Sequence, residues 1–372
     1  MAPFGPNLPL HKTMYPRRPL PLSPFAAGTA VLAFFLGLAL LPVPAPGAPA
    51  RKSVGIKPPL GLPPVPWPED NPYTPEKAEL GRLLYFDKRL SSKATVSCAS
   101  CHTPDRAFGD GAAVATGIDN QKGNRSAPTV INRAYSTQQF WDGRAPSLEE
   151  QAKGPLANPL EMTMHKDVEA AHKASVATLR AIPGYVEQFR AVFGTEEFTI
   201  DHVAQAIATF ERTILSGNSP FDKYRAGDSK ALTASQKRGL DVFFNKAACD
   251  SCHLGFNFTD GSYVNIGIGM DKPSPDLGRY MVSRREEDKG AFKTPTLREV
   301  ANTGPYMHDG RFTTLEEVVE HYNKGGIKNP WLDQRLKPLN LTDTDKKDLV
   351  EFLKALSGTG WQQVRPPTEF PK

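Results

Sequence analysis

The sequence predicts a mainly α-helical protein built from two similar halves behind an N-terminal leader. The chain has 372 residues, which is too many for one ordinary domain and suits two of common size. The pattern Cys-x-x-Cys-His occurs twice, each time after an amphipathic stretch that contains one glycine. Each half also closes with apolar residues at helical spacing. This repetition indicates two modules of one architecture.

The first 50 residues have the features of an export signal. Three basic residues precede an apolar run over residues 25–41, and the leader ends in the small-residue sequence A-P-A at Ala50. We expect cleavage near Ala50 and a working protein in the periplasm. The alternative is an uncleaved membrane anchor, because the run is almost long enough to span a bilayer. The proline-rich residues 51–72 are expected to form an extended tether ahead of the folded part.

The charge balance does not indicate nucleic-acid binding. The chain has 45 basic and 40 acidic side chains, and three of the basic ones lie in the leader. No basic stripe interleaved with aromatic residues appears in the sequence. We therefore expect no nucleic-acid partner, and a membrane partner only if the leader stays attached.

The two Cys-x-x-Cys-His motifs contain every cysteine of the chain. Their cysteines and histidines are Cys98, Cys101, His102, Cys249, Cys252 and His253. This pattern is the attachment signal for a c-type haem. Residues three apart share a face of a helical turn, so both sulfurs reach one porphyrin edge and the next histidine reaches the iron. Two disulfides or a zinc ribbon are the alternatives, but zinc ribbons space their pairs about 15–20 residues apart. We expect two covalently bound haem c groups.

The two halves are expected to be cytochrome c-like domains, each with one haem. Gly81 and Gly239 precede a phenylalanine by five positions within the amphipathic stretches ahead of the motifs. Two sets of apolar residues predict the closing helices: Val203, Ile207, Phe210 and Ile214, then Leu349, Phe352, Leu353 and Leu356. We expect an N-terminal haem domain over residues 73–220, a C-terminal one over 221–372, and a link near 215–233.

Longer motifs lie within residues 76–358. They are SCASCH, AFGDG, FWDGRAPSLEEQA, GPLANPLEM, TPTLREV and GPYMHDGRFTTLEEVVEHYNKGG. Together and in this order they resemble the bacterial dihaem cytochrome c peroxidase family, including its MauG-like branch. The resemblance implies a high-spin N-terminal haem that meets peroxide and a C-terminal haem that handles electrons.

The resemblance also implies roles for residues near the first haem. Trp141 matches an electron relay between the haems, and Pro155 matches a proline beside the peroxide site. Gln151 and Glu161 match polar residues over the open iron. Cleaving the O–O bond needs a group that moves a proton from the inner to the outer oxygen, which a carboxylate of raised pKa can do. Without the resemblance, Glu161 would be interpreted as a helix-capping acid and Trp141 as a core residue.

The loop after the first motif bears on whether the first iron is open. Family members that need prior reduction carry a second histidine there, whereas residues 103–129 of this chain contain none. His165 and His172 lie beyond Glu161 and are poor candidates as ligands. We therefore expect the first haem to be five-coordinate, or to hold only water, and to be active as isolated.

The sixth ligand of the second iron is expected to be Tyr322, fourteen residues after His308 of PYMHDG. The resemblance implies methionine at this position in peroxidases proper and tyrosine in the MauG-like branch. Methionine raises the haem potential, whereas a phenolic oxygen favours oxidised states. The competing side chains are Met270, Met281, Met307 and His321.

A calcium ion is a further feature that the resemblance implies. Its ligands map to Ser126 and to the carbonyls of Thr303 and Pro305. Serine stands where the family has asparagine, and a hydroxyl is the weaker oxygen donor.

The expected activity is reduction of hydrogen peroxide to water, with electrons from a small donor such as a cytochrome c or a cupredoxin. One alternative is a MauG-like oxidase that modifies a partner protein. However, Ala247 replaces the tryptophan through which MauG passes oxidising equivalents. Another alternative is a dihaem electron carrier without catalysis. The sequence leaves open whether the protein is a monomer or a homodimer.

Overall fold

Helices form most of the regular structure, as the sequence predicts. The computed structural model describes residues 55–372, so the predicted leader and its cleavage site lie outside the described residues. None of the helices in the described part is long and apolar enough to cross a membrane. The apolar side chains form two main cores, one within residues 80–214 and the other within 242–356.

The elements follow the predicted order. The described part of the first half contains α1 (Pro75–Phe86), α2 (Cys98–Cys101), α3 (Leu148–Leu156), α4 (Val168–Arg180), α5 (Pro183–Phe193) and α6 (Ile200–Glu211). The second half contains α7 (Pro220–Arg225), α8 (Ala234–Asp241), α9 (Tyr280–Ser283), α10 (Leu315–Asn323) and α11 (Asp343–Lys354). A π-helical turn, Val242–Lys246, continues α8.

Short elements connect these helices. The 3-10 turns are Lys88–Leu90, Pro104–Arg106, Ile118–Asn120, Arg133–Tyr135, Cys249–Ser251, Glu286–Asp288, Val300–Asn302 and Trp361–Gln363. The strands are β1 (Ser216–Gly217), β2 (Tyr263–Val264), β3 (Phe292–Lys293) and β4 (Thr359–Gly360). β1 pairs with β4 and β2 with β3, both antiparallel.

The first half is organised by the crossing of α1 and α6. Thr74 caps α1 by accepting a hydrogen bond from the Lys77 N–H, and a proline follows at the first helical position. At the crossing, a Cβ on Gly81 would lie 1.9 Å from the Ala206 carbonyl oxygen and 2.8 Å from the Phe210 Cβ. Only glycine allows the two helix backbones to approach this closely.

The second half repeats this crossing between α8 and α11. A Cβ on Gly239 would lie 1.9 Å from the Asp348 carbonyl oxygen and 2.8 Å from the Phe352 Cβ. The predicted internal repeat is therefore present in the structure, with α8 corresponding to α1 and α11 to α6. Ile214 and Leu356 lie just past the ends of α6 and α11 rather than within them, and both stay buried.

The proline-rich segment differs from the predicted free tether. Residues 55–72 are extended, but they pack onto the folded part. Val65 lies in a small buried cluster with Leu215, and the Tyr135 hydroxyl donates to the Pro63 carbonyl at 2.8 Å. Prolines lack the N–H that would extend a helix or sheet, so the segment is held by side chains and by its carbonyl groups.

The C-terminal tail crosses the predicted domain boundary. Val364 and Phe370 pack against the core of the first half, although the sequence assigned residues 221–372 to the second. The Lys372 carbonyl accepts a hydrogen bond from the Gly184 N–H at 2.8 Å. The C-terminal tail of the second half therefore packs on the first half, which the linear motif pattern does not reveal.

The predicted link near 215–233 contains a buried ion pair. Two guanidinium nitrogens of Arg298 donate to the two carboxylate oxygens of Asp222, each at 2.9 Å. The two side chains are 1% and 3% exposed. The Arg298 Nε also donates to the Phe256 carbonyl at 2.7 Å. This pair fixes α7 against the loop that follows the second haem motif.

We expect Arg298→Met to lower the free energy of unfolding by about 3–5 kcal/mol, because it leaves the Asp222 carboxylate buried without its cation. Chemical denaturation followed by circular dichroism measures this loss. The matched control is Arg285→Met, which removes an arginine 64% exposed and paired with Glu287, and should change stability little. Equal effects of the two substitutions would contradict the assigned role of the buried pair.

Candidate functional site

A large cavity opens beside the first Cys-x-x-Cys-His motif. It encloses about 1400 Å³ of space, part of it open to solvent. Its walls include Cys98, Cys101, His102, Arg133, Phe140, Trp141, Arg144, Gln151, Pro155, Asn158, Glu161 and Glu211. The cavity therefore brings the first motif together with all four residues that the resemblance assigns to peroxide chemistry and electron relay.

The first motif presents its histidine in a defined orientation. The His102 Nδ1 lies 3.2 Å from the Phe108 carbonyl oxygen. A carbonyl can only accept, so Nδ1 carries the proton and the unprotonated Nε2 is left with a lone pair that can bind a metal. Burial lowers the pKa of His102 and keeps the imidazole neutral, as a metal ligand must be. The Tyr85 hydroxyl donates to the His102 carbonyl at 2.9 Å and anchors the end of α2.

Both cysteines of the first motif are available for attachment. All four cysteines of the chain are free of disulfides, which excludes the alternative of two disulfide bridges in this structure. Burial raises the pKa of the Cys98 thiol and, to about 11, that of Cys101. Both thiols are thus uncharged in the cavity wall.

Glu161 reaches the cavity through a close contact between two loops. A Cβ on Gly117 would lie 2.0 Å from the Leu160 carbonyl oxygen and 2.6 Å from the Glu161 Cα, so this contact requires glycine. The Ile118 N–H donates to the Glu161 carbonyl at 3.0 Å. The Asn158 amide donates to the Glu161 carboxyl at 2.6 Å. Burial raises the pKa of Glu161, against the opposing effects of this hydrogen bond and of the Arg144 charge.

Gln151 and Pro155 lie on α3. Ser147 caps this helix by accepting a hydrogen bond from the Glu150 N–H. The turn before α3 carries Arg144, whose guanidinium lies 3.5 Å from the centre of the Phe140 ring. α3 therefore brings an amide to the same cavity as the Glu161 carboxyl, with a cation–π pair beside them.

Within residues 55–372, no second histidine faces the first one. Among the described residues that line the cavity, His102 is the only histidine. His165 is exposed, and the His172 ring nitrogen binds the Lys153 carbonyl at 3.0 Å.

Trp141 contacts both halves of the protein. Its indole N–H donates to the Ser126 carbonyl at 2.9 Å, and its own carbonyl accepts from the Lys293 N–H on β3 at 2.8 Å. The Lys293 ammonium donates to the Gln138 carbonyl at 2.6 Å. The half-buried indole is thus held between a loop of the first half and a strand of the second.

The second motif repeats the geometry of the first. The His253 Nδ1 lies 3.0 Å from the Phe258 carbonyl oxygen, and burial lowers the pKa of His253. Tyr322 comes from α10, and burial and the nearby Cys249 and Cys252 thiols raise the pKa of its phenol. Within residues 55–372 the Tyr322 hydroxyl has no hydrogen-bond partner.

The competing ligands of the second motif are placed differently. The His321 Nε2 binds the Ile266 carbonyl at 3.1 Å, and Met281 is 50% exposed. Met270 packs against Gly290, where an added Cβ would lie 2.4 Å from its sulfur. Met307 has a left-handed backbone with φ 73°.

The three predicted calcium ligands do not form an acidic site. The Ser126 N–H donates to the His308 carbonyl at 2.7 Å, so Ser126 does lie against the PYMHDG loop of the second half. In the described part of the chain, no group of three or more His, Cys, Asp or Glu side chains is arranged to hold a metal ion. A hydroxyl and the carbonyls of Thr303 and Pro305 would leave most of a calcium shell to water.

Comparison with known proteins agrees with this geometry. A family model described as di-haem cytochrome c peroxidase matches residues 75–230. The methylamine utilization protein MauG of Methylorubrum extorquens is 45% identical over 295 residues, which cover 78% of this chain and 81% of that protein. The chain belongs to the dihaem cytochrome c peroxidase family.

Other members of the dihaem cytochrome c peroxidase family support this assignment. Cytochrome-c peroxidase IdrP1 of a Pseudomonas species is 39% identical over 331 residues, covering 81% of this chain and 86% of that protein. The crystal structure of a MauG-like protein associated with microbial copper homeostasis is 33% identical, with a TM-score of 0.75 over 82% of this chain and 95% of that one. Relatives of both kinds, peroxidases and MauG proteins, are therefore similar to this chain.

The residues present fit the two haem c groups that the family implies. The first motif places two free thiols and a neutral imidazole in the wall of one large cavity. The second motif shows the same histidine–carbonyl hydrogen bond. Haem c requires this donor set: two sulfurs for the thioether bonds and a histidine nitrogen for the iron.

The sequence did not point to several charged or polar residues of the cavity wall. Arg144 and Asn158 lie within the motifs FWDGR and GPLANP, so the motifs could have pointed to them. Arg133 lies in the turn Arg133–Tyr135 and Glu211 at the end of α6, and both reach the cavity only through the packing of these elements. No sequence pattern marks either residue.

Proposed function

We propose that the protein is a dihaem c peroxidase that reduces hydrogen peroxide to water with electrons from a small periplasmic donor, such as a cytochrome c or a cupredoxin. The observation that carries this proposal is the composition of one cavity. It combines the first haem motif with a half-buried carboxyl at Glu161 and an amide at Gln151, and His102 is its only histidine among the described residues. Such a cavity can admit a small oxidant to an iron that no second protein ligand blocks.

The proposed chemistry assigns separate tasks to the cavity residues. The haem supplies an iron that binds peroxide and exchanges electrons. The Glu161 carboxylate accepts the proton of the inner peroxide oxygen and returns it to the outer one, and its raised pKa brings it nearer to neutral working conditions. The Asn158 amide holds the carboxyl in place, and the Gln151 amide orients peroxide by hydrogen bonding.

The proposed electron path runs from the second half to the first through Trp141. In this assignment residues 73–220 form the peroxidatic haem domain. Residues 221–372 form the electron-transfer haem domain, apart from the C-terminal tail that packs on the first half. The contacts of Trp141 with Ser126 and Lys293 support the relay, because the indole is bonded to the first half and the main chain of the same residue to the second.

The remaining assignments are also part of the proposal. Cleavage near Ala50 would release the protein into the periplasm, where its electron donor is found. Calcium bound by Ser126, Thr303 and Pro305 would lie where Ser126 of the first half contacts the PYMHDG loop of the second.

The direct test uses the purified holoprotein without prior reduction. We expect its resting EPR spectrum to contain one high-spin ferric haem, and added peroxide to alter that signal. We also expect rapid steady-state oxidation of reduced cytochrome c or cupredoxin by peroxide. Two fully low-spin haems that do not respond to peroxide would overturn the proposal and leave a plain electron carrier.

We expect Glu161→Gln to slow the reaction with peroxide by about 10²–10⁴-fold, because an amide cannot accept the proton. In the native protein the rate should fall as the pH drops through the raised pKa of Glu161, since only the carboxylate is a base. The variant should lose that pH dependence. Stopped-flow absorbance at the Soret band measures both.

The matched control for Glu161→Gln is Glu150→Gln. Glu150 is exposed on α3 and paired with Lys153, so its loss should leave the rate unchanged. If the Glu161→Gln protein keeps the native rate and pH profile, Glu161 is not the group that transfers the proton.

A MauG-like oxidase of a partner protein is the second candidate function. It is favoured by the environment of Tyr322, a half-buried tyrosine near Cys249 and Cys252 whose hydroxyl has no hydrogen-bond partner among the described residues. It is opposed by Ala247, which is buried in the second core and offers no redox-active side chain near the motif. Near-zero turnover with reduced donor proteins, together with a spectral response to peroxide, would favour this candidate.

We expect Tyr322→Phe to change the ferric spectrum of the second haem, because phenylalanine has no oxygen to bind iron. Magnetic circular dichroism of the resting protein reports this ligand. The control is Tyr280→Phe, a tyrosine on α9. An unchanged spectrum in the Tyr322→Phe protein would exclude Tyr322 as the sixth ligand of the second iron. The ligand would then be one of the competing side chains.

A further inference from the structure

Glu211 is a buried acid that the proposed mechanism does not use. It ends α6 and lines the cavity of the first motif. It is 4% exposed, and its Oε2 is fully buried without a hydrogen-bond partner among the described residues. A buried polar atom without a partner is costly, so such an atom calls for a specific explanation.

The charged groups around Glu211 do not neutralise it. Arg212 is the nearest source of positive charge on its own helix, but its guanidinium is bound by both carboxylate oxygens of Glu149 on α3, at 2.5 and 2.9 Å. Arg133 attracts Glu211 from a distance, while its Nε and Nη2 both bind the Gln139 side chain. No cation lies within ion-pair distance of the Glu211 carboxyl in the described part of the chain.

The other groups near Glu211 are neutral. The Tyr85 phenol of α1 has a raised pKa, because of burial and, next, the Glu211 charge, and the Cys98 sulfur of α2 has no ionisable proton once it forms the thioether to haem. Burial likewise raises the pKa of Glu211 to about 7, with Glu149 adding to the rise and the two arginines opposing it. The carboxyl can therefore gain or lose its proton near neutral pH.

We propose that Glu211 is a redox-linked proton site, which takes up one proton when the haem at Cys98 and Cys101 takes up one electron. The electron comes from the one-electron donor and the proton from solvent, and an O–H bond forms at the unpartnered Glu211 oxygen. Reoxidation releases both. This inference rests on the first haem of the proposed function, because its charge must change within the cavity that Glu211 lines.

Electrostatics gives the direction of the coupling. An added electron makes the haem less positive, which weakens the stabilisation of the Glu211 carboxylate and raises its affinity for a proton. Proton uptake then keeps the net charge of the buried cavity constant. Reduction of one hydrogen peroxide to two waters consumes two electrons and two protons, so a group that gains a proton with an electron matches the stoichiometry of the reaction.

The test is a spectroelectrochemical titration of both haems between about pH 5 and pH 9, a range that brackets the pKa of Glu211. We expect the potential of one haem to fall as the pH rises, by up to tenfold in the redox equilibrium per pH unit, which is 59 mV for one electron. In Glu211→Gln that haem should lose this slope. At low pH the potential of that haem in Glu211→Gln should equal its potential in the native protein, because glutamine resembles the protonated acid.

Two further variants sharpen the test. Arg133→Gln removes a charge that lowers the pKa of Glu211, so it should move the pH-dependent region of the same haem to higher pH. Glu187→Gln, at an exposed acid on α5, should change neither slope nor potential. Redox-induced infrared difference spectra should contain a carboxylic acid C=O band that only Glu211→Gln abolishes.

An unchanged slope in a Glu211→Gln protein that retains both haems would overturn the inference. If that variant fails to hold haem, an unshifted pH-dependent region in Arg133→Gln overturns it instead. Neither measurement uses peroxide. A protein that shows the slope but no peroxide turnover would therefore refute the proposed function alone.

Discussion

In each half, one hydrogen bond fixes the histidine on which the rest of the site depends. The imidazole Nδ1 of His102 donates to the carbonyl of Phe108, and that of His253 donates to the carbonyl of Phe258. Both phenylalanines have left-handed backbones, with φ 60° and 50°, a conformation that β-carbon residues adopt only where the surrounding structure enforces it. The bond sets the tautomer and points Nε2 away from the loop. Because burial also keeps both rings neutral, each motif presents a ligand before any cofactor chemistry begins.

The two halves share this arrangement and differ in what they place around it. In the first half, the contact at Gly117 brings Glu161 into a large cavity with α3. In the second half, α10 brings the phenol of Tyr322 close to the motif cysteines. The glycine crossings of α1 with α6 and of α8 with α11 are nearly identical, so these differences come from the loops and from α10, not from the helical frame. One duplicated module can therefore support two kinds of haem environment.

The sequence predicted the features that depend on short-range spacing. The repeated motif, the helices that contain Gly81 and Gly239 and the closing helices are all present, because each rests on spacing within one turn or one helix. The position of these glycines at helix crossings was not predicted. The packed proline-rich segment, the tail that returns to the first half and the Arg298–Asp222 pair were not predicted. They depend on contacts between residues far apart in the chain, for which a single sequence offers no periodic signal. Glu211 illustrates the same limit: on α6 it continues an ordinary helical pattern, and only the fold places its carboxyl in the cavity wall.

The contact between the halves explains how a relay can be kept at a constant position. Trp141 does not rely on side-chain packing alone, since its indole N–H and its carbonyl both bond to main-chain groups, of Ser126 and Lys293. Main-chain partners in a turn and in a strand move less than side chains do, which preserves a functional geometry. Arg125 strengthens the same contact, because it binds Asp142 beside the tryptophan and Asp276 in the second half, at 2.7 Å each. Both pairs are largely buried, but only the Arg125–Asp276 pair spans the halves. Separating the halves would therefore leave the Asp276 carboxylate without its cation, whereas Asp142 would keep both Arg125 and Arg144 as partners. These contacts would hold Trp141, in its proposed role as relay, at one position as long as the halves remain joined.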